Sequence, residues 1–178
     1  MLLRRLLPAL VAGLLAGPAA SLVWAEPLVV GQAAPEISAP DQDGKIVDLG
    51  QLYAKGDVLV YFYPKAGTSG CTAQACSLRD AYDKLTARGV TVVGVSADTE
   101  QAQKNFEETN HLPFILLADP GHTVIDAFGV PLFGAGLATR QAFLIRHGHV
   151  VWRDLTASTT KQAADVLAVL DSLALPPG

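Results

Sequence analysis

The sequence predicts an α/β layered fold with a mainly parallel central sheet. Two observations carry this: short apolar runs rich in β-branched and aromatic residues, and stretches of helical period alternating with them. A third sets the scale. The chain has 178 residues, 50% apolar and 17% charged, enough for a single domain with a sizeable core. No repeat, linker or low-complexity stretch divides it.

The elements follow in order. Arg4-Arg5 is succeeded by an apolar run from Leu6 to Ala16, a helix break at Gly17-Pro18, and Val23-Trp24-Ala25, whose residues suit a cleavage site. Residues 1–25 therefore read as a signal peptide cut after Ala25, with residues 26–178 as the domain. The uncharged stretch from Leu6 to Trp24 is also about long enough for an uncleaved membrane anchor, against which Pro8, Pro18 and the glycines argue. The arginine pair is a weak twin-arginine match, so the export route stays open. The expected destination is the bacterial periplasm, with no stable membrane association after cleavage. Removing two arginines from 13 basic against 17 acidic residues leaves a net charge of −6. Such a chain has no basic surplus to displace counterions, which argues against nucleic acid as a partner.

In the body, Asp41-Gln42-Asp43-Gly44 is a turn between short strands. Val58 to Tyr63, Thr91 to Ser96, Phe114 to Ala118 and Ala142 to Ile145 read as buried strands. Between the first two, Ala75, Leu78, Tyr82 and Leu85 keep helical spacing, with Arg79/Asp83 and Asp80/Lys84 as outward i,i+4 pairs and Gly89 as the stop. Further helices are expected from Thr99-Glu100 towards Asn110, from His122 to Phe128, and from Thr159 to Leu173. Arg146-His147-Gly148-His149 turns between two late strands.

The two cysteines, Cys71 and Cys76, close too small a loop to staple a domain of this size, so a reactive pair is the better reading. Cys71 falls in the first turn of the helix that follows Pro64, where unpaired N–H groups and the helix dipole favour a thiolate. It is in phase with Ala75 and Leu78 and points coreward, whereas Cys76 shares the wetter phase of Arg79 and Asp80. Five residues of ideal helix separate Cα atoms by roughly 8.6 Å, beyond the ~7 Å a disulfide spans. If the pair bonds at all, the first turns must unwind.

Pro64-x-x-x-Thr68-x-x-Cys71 resembles the active-site signature of peroxiredoxins, and Cys76, five residues on, resembles the resolving position of the bacterioferritin-comigratory, or PrxQ-type, branch. Asn110-His111-Leu112-Pro113-Phe114, Leu117-Ala118-Asp119-Pro120, Gly129-Val130 and Arg140 to Ile145 are similar to further family blocks, extending the likeness over about residues 31 to 172. The resemblance implies a thioredoxin-like fold, a central mixed sheet flanked by helices. It also implies a thiol peroxidase acting on hydrogen peroxide and organic hydroperoxides, without metal or cofactor. Cys71 would be the peroxidatic nucleophile and Thr68 would orient peroxide and thiolate. Pro64 would shield the thiolate, and Arg140 would hold it ionised and stabilise charge on the stretching O–O bond. Backbone N–H groups at Gly70 and Cys71 would bind peroxide, with Gln74 hydrogen-bonding Arg140. Cys76 would close a Cys71–Cys76 disulfide, opened again by a thioredoxin-like dithiol. Relatives of this type are often monomers, and a monomer is expected here. Gly67 and Ser69 depart from common family residues without touching those roles.

The bland readings are a helix N-cap for Thr68, a strand end for Pro64, and exposed turn residues for His147 and His149. Two other functions compete. An exported disulfide exchanger or redox sensor would carry Cys-x-x-Cys, which this chain lacks. A Cu(I)-binding module would use the thiolates but leave Thr68 and Arg140 unexplained.

Overall fold

The computed structural model describes residues 26–174. The signal-peptide reading of residues 1–25 lies outside the described residues.

A short hairpin, β1 (Ser38–Pro40) and β2 (Ile46–Asp48), opens the domain across the expected turn, where Asp41 Oδ1 accepts from Asp43 and Lys45 N–H, each at 2.9 Å. Helix α1 (Leu49–Tyr53) follows, with Asp48 as its cap accepting from Gln51 N at 3.1 Å. Five residues are too few to show a helical period in sequence, and α1 was not expected. Then come β3 (Asp57–Phe62), α2 (Ser69–Asp80), α3 (Tyr82–Thr86), β4 (Val90–Ser96), α4 (Glu100–Asn110), β5 (Ile115–Ala118) and α5 (Thr123–Ala127). A two-residue hairpin, β6 (Leu132–Phe133) and β7 (Leu137–Ala138), precedes β8 (Gln141–Arg146), β9 (His149–Asp154) and α6 (Gln162–Ala174).

The central sheet has the order β5-β4-β3-β8-β9. Pairs β3–β4 and β4–β5 are parallel, whereas β3–β8 and β8–β9 are antiparallel. The sheet is mixed, as the family resemblance implies, which corrects the mainly parallel reading taken from the apolar runs alone. Continuous apolar runs mark strands buried on both faces but carry no direction, and β8 enters beside β3 from the opposite end. A second correction concerns the helix after Pro64, which breaks at Ala81 (φ −104°, ψ 5°) into α2 and α3. Arg79 pairs with Asp80 at 2.8 Å in place of the expected Asp83, which stands beyond the break. Tyr82, also beyond it, packs against Phe114, ring centroids 6.1 Å apart.

Strand β3 divides the core by alternation. Leu59 and Tyr61, continued by Tyr63 just past the strand, face one layer, built from α2, α4 and α6 through Cys71, Leu78, Phe106 and Val166. Val58, Val60 and Phe62 face the other, against α1 and α5 through Leu49, Ile125 and Phe128. Tyr61 sits opposite Gly94 in the β3–β4 register. A Cβ on Gly94 would lie 2.8 Å from the Tyr61 hydroxyl, so glycine makes the room for that ring.

Candidate active site

The site forms where β3 ends and α2 begins. Tyr63 N–H still reaches Val95 O at 3.1 Å; the chain then leaves the sheet through half-buried Pro64 and an exposed turn. Gly67 takes φ +75°, a value that suits glycine. Asp98 Oδ2 fixes this turn from the far side, accepting from Ala66 N–H and from the Ser96 hydroxyl, both at 2.7 Å. Nothing in the local sequence marked Asp98, because it comes from the end of the neighbouring strand.

Thr68 holds the N-cap position with extended backbone (φ −78°, ψ 151°), yet its side chain makes no capping bond. The hydroxyl donates to Lys65 O at 3.0 Å instead. Its only proton is thereby engaged, and its lone pairs remain to accept. The first backbone bond of the helix runs from Thr72 N–H to Thr68 O at 2.8 Å. The N–H groups of Gly70 and Cys71 therefore precede the helical ladder, as the first turn of any helix requires.

Cys71 is buried, 1% exposed, in that first turn. Arg140, between β7 and β8, reaches it from across the sheet: Nη2 lies 3.4 Å from Sγ. Arg140 Nη1 donates to Gln74 Oε1, and Gln74 Nε2 donates to Gln162 Oε1 at the start of α6. The sequence reading singled out Arg140 and Gln74 but not Gln162. A Cβ on Gly70 would just touch Arg140 Nη2 and Thr159 Cγ2, each at 3.5 Å, so the guanidinium passes close over the first helical turn.

Beneath Cys71 lie Tyr61 and Tyr63, stacked with ring centroids 5.5 Å apart in the same core layer. Burial pushes both phenols well above their ordinary value, with Cys71 adding to the effect. Tyr63 donates to Gln103 Oε1. The Tyr61 hydroxyl has no hydrogen-bond partner among the described residues.

Cys76 is half-buried on the same unbroken α2, and both thiols are free. The structure thus shows the state in which the pair cannot bridge. Cys71, Thr68, Gly70, Arg140 and Pro64 converge on one end of β3, and Cys76 stands further along α2. His147 and His149 lie at the β8–β9 turn, where His149 Nδ1 meets His147 O at 3.0 Å. Among the described residues, no group of three or more His, Cys, Asp and Glu side chains is arranged to hold a metal ion.

Comparison with known proteins identifies the family. Residues 30–153 match the model of the AhpC/TSA family. Peroxiredoxin Bcp of Escherichia coli (strain K12) is 50% identical over 104 residues, which cover 58% of this chain and 66% of that protein. The chloroplastic peroxiredoxin Q of Populus jackii is 44% identical over 123 residues, 68% of this chain and 57% of that protein. The matched part thus spans 57–66% of these relatives' length, less than two thirds of either. Among solved structures, peroxidoxin BcpB of Mycobacterium tuberculosis superposes with a TM-score of 0.77 at 31% identity, covering 82% of this chain and 98% of the other. The bacterioferritin comigratory protein of Xanthomonas campestris gives a TM-score of 0.75 at 23% identity, covering 83% and 100%, a likeness of fold alone. With Thr68, Cys71 and Arg140 gathered at the end of β3 on a thioredoxin-like sheet, the chain belongs to the AhpC/TSA family, among the peroxiredoxins of the Bcp/PrxQ type.

Proposed function

We propose that the protein is an exported thiol peroxidase that reduces hydrogen peroxide and organic hydroperoxides through Cys71, resolves through Cys76, and is recycled by a thioredoxin-like dithiol. The observation that carries this reading is the approach of Arg140 Nη2 to Cys71 Sγ, 3.4 Å, in the first turn of α2. A fixed positive charge and the partial charge of the helix start both face the sulfur, in a buried site where water competes little.

The chemistry follows from the groups present. Hydroperoxide enters beside Thr68, whose hydroxyl, already donating to Lys65 O, accepts from the peroxide O–H. The Cys71 thiolate attacks the terminal, hydroxyl-bearing oxygen; an S–O bond forms as the O–O bond breaks, and the other oxygen leaves as hydroxide or alkoxide, taking back from solvent the proton the thiol had released to depart as water or alcohol. Arg140 and the first-turn N–H groups stabilise charge on the separating oxygens. Cys71 is then a sulfenic acid. The first turns of α2 unwind, and Cys76 sulfur attacks Cys71 sulfur; the sulfenic hydroxyl leaves with the thiol proton as water, and a disulfide forms. An external dithiol returns two electrons and two protons, becoming a disulfide itself. Because residues 1–25 have the pattern of an export signal, that dithiol belongs to the protein's own compartment, and the protein acts there as a monomer.

The test is stopped-flow fluorescence of the reduced protein, residues 26–178, mixed with one equivalent of hydrogen peroxide, followed by mass spectrometry. Trp152 is the one tryptophan of that chain and packs against the core layer that holds Cys71. Rapid oxidation ending in loss of two hydrogens, with Cys71 and Cys76 bridged, is the expected result. Oxidation no faster than that of a free thiol would move the assignment to disulfide exchange.

A further inference from the structure

The hydrogen-bond chain that begins at Cys71 does not end at Arg140. A guanidinium can only donate, so the Gln74 carboxamide must turn its oxygen towards Arg140 and its nitrogen away. That nitrogen then needs an acceptor in a fully buried place, where Gln74 is 0% exposed. Gln162, 1% exposed at the first residue of α6, supplies it with Oε1. The polarity of the whole row is set by the arginine, and it leaves Gln162 Nε2 buried without a partner among the described residues.

That orphaned donor is informative. Leucine or methionine could fill the same buried position with no orphaned donor of its own, but would leave Gln74 Nε2 without its acceptor. Among the described residues only the acceptor oxygen of Gln162 is used, and only by Gln74. The neighbouring chain aims it: Ser77, late in α2, donates to Thr160 O at 3.4 Å, and Thr159 Cγ2 lies 3.5 Å from where a Cβ on Gly70 would stand, so the entry to α6 is fastened along α2.

We infer that Gln162 is a positioning residue for Cys71 chemistry: its Oε1 holds the Gln74 amide in the one orientation that keeps Arg140 on the sulfur. This deepens the peroxidase reading and rests on it. Without the acceptor, Gln74 can flip and present N–H to a guanidinium that also presents N–H. Arg140 would then lose its guide while keeping its charge.

The experiment measures second-order oxidation of Cys71 by hydrogen peroxide in the purified protein and in four variants. Gln162→Met keeps the volume and removes the acceptor; it should slow oxidation about tenfold, the effect of one oriented hydrogen bond to a charged group. Gln162→Glu keeps an acceptor and drops the orphaned donor, and should oxidise at the parental rate. Gln74→Leu should be slow, and Gln74→Leu/Gln162→Met no slower than Gln74→Leu alone, because Gln162 acts only through Gln74. A residue needed merely for packing would give additive losses and no rescue by glutamate. A parental rate for Gln162→Met, or additive losses in the double variant, overturns the inference. If Gln162→Met does not fold, Gln162→Glu decides: a parental rate supports the inference and a slow one overturns it. Alkylation of Cys71 by iodoacetamide in a Cys76→Ser background reads Arg140 placement without peroxide. Slowing of alkylation by Gln162→Met in a protein that peroxide oxidises no faster than a free thiol would sink the peroxidase reading and keep the positioning role. An unchanged alkylation rate in that protein would sink both.

Discussion

The two faces of the central sheet are built on different terms. On the far face, Phe62 meets Phe128 and Phe143 with ring centroids 5.2 and 5.9 Å away, and Phe128 meets Phe143 at 5.4 Å. That layer is packed apolar surface around Leu49, Val60 and Ile125. On the near face the same strand turns Tyr61 and Tyr63 towards Cys71, and α2 and α6 bury Gln74 and Gln162 among aliphatic neighbours. Polar groups there are held in fixed orientations, and two of the three buried side-chain atoms without a partner among the described residues, Tyr61 Oη and Gln162 Nε2, lie on this face; the third, Gln141 Oε1, is in phase with Phe143 on the other. One face is organised for stability. The other gives up some stability to hold a charge against a sulfur atom.

The sharpest way to break this comparison is to damage each face and ask what is lost. Cys71→Ser should abolish peroxide turnover while barely moving Tm, since a buried oxygen replaces a buried sulfur of similar shape. Phe143→Ala on the far face should do the reverse. It should cost about 3–5 kcal/mol of stability by removing a buried ring and leaving a cavity, and still oxidise Cys71 at near-parental rate well below its melting temperature. Thermal melts and stopped-flow rates on the two variants check both halves. A large loss of oxidation rate in folded Phe143→Ala would show that the faces are not separable.

Arg140 offers a finer cut. Arg140→Lys keeps the charge but loses the fork that joins Cys71 Sγ to Gln74 Oε1. Oxidation of Cys71 should fall by roughly 10²-fold, as when one oriented donor is removed from a reacting site. A lysine variant at parental rate would mean that net charge alone activates the sulfur.

How far the sequence disclosed these two faces depends on how local each signal is. Cys71 was placed coreward by its phase with Ala75 and Leu78, and the structure buries all three. Strand positions were legible because apolar runs of β-rich residues are local signals. Strand direction was not, since β8 lies antiparallel to β3 for topological reasons that no run of residues encodes. The bend at Ala81 has no breaker residue to announce it, and beyond it Tyr82 packs against Phe114, a contact with a residue far along the chain. Within the site, Arg140 was reached through family likeness alone; as an isolated arginine beside a strand it reads as surface. Asp98 and Gln162 were missed because their partners stand 32 and 88 residues away, Ala66 and Gln74. A buried glutamine leaves no periodic trace, and an aspartate after a strand looks like any turn residue.

The smallest effect concerns Tyr61, whose hydroxyl is buried without a partner while its ring is packed against Tyr63 and Phe114. Tyr61→Phe keeps the packing and removes the orphaned group, so the variant should be more stable by about 1 kcal/mol, the low end of the cost of an unpaired buried hydroxyl. The pH dependence has a definite sign. Burial holds the phenols of Tyr53, Tyr61 and Tyr63 above their ordinary value, so the folded protein binds protons that the unfolded chain releases above about pH 10. Their linkage contribution is fully present below that pH and is lost as pH rises towards the folded values, which gives alkaline unfolding. Tyr61→Phe removes one of these groups, so its stability should decline less steeply from pH 10 to 12 than the parent's, by up to one proton's worth of slope. Chemical denaturation at pH 7, 10 and 11 measures both the offset and the slope. A loss of stability at pH 7 would mean that the hydroxyl has a partner after all, such as a bound water, and that Tyr61 costs the near face nothing.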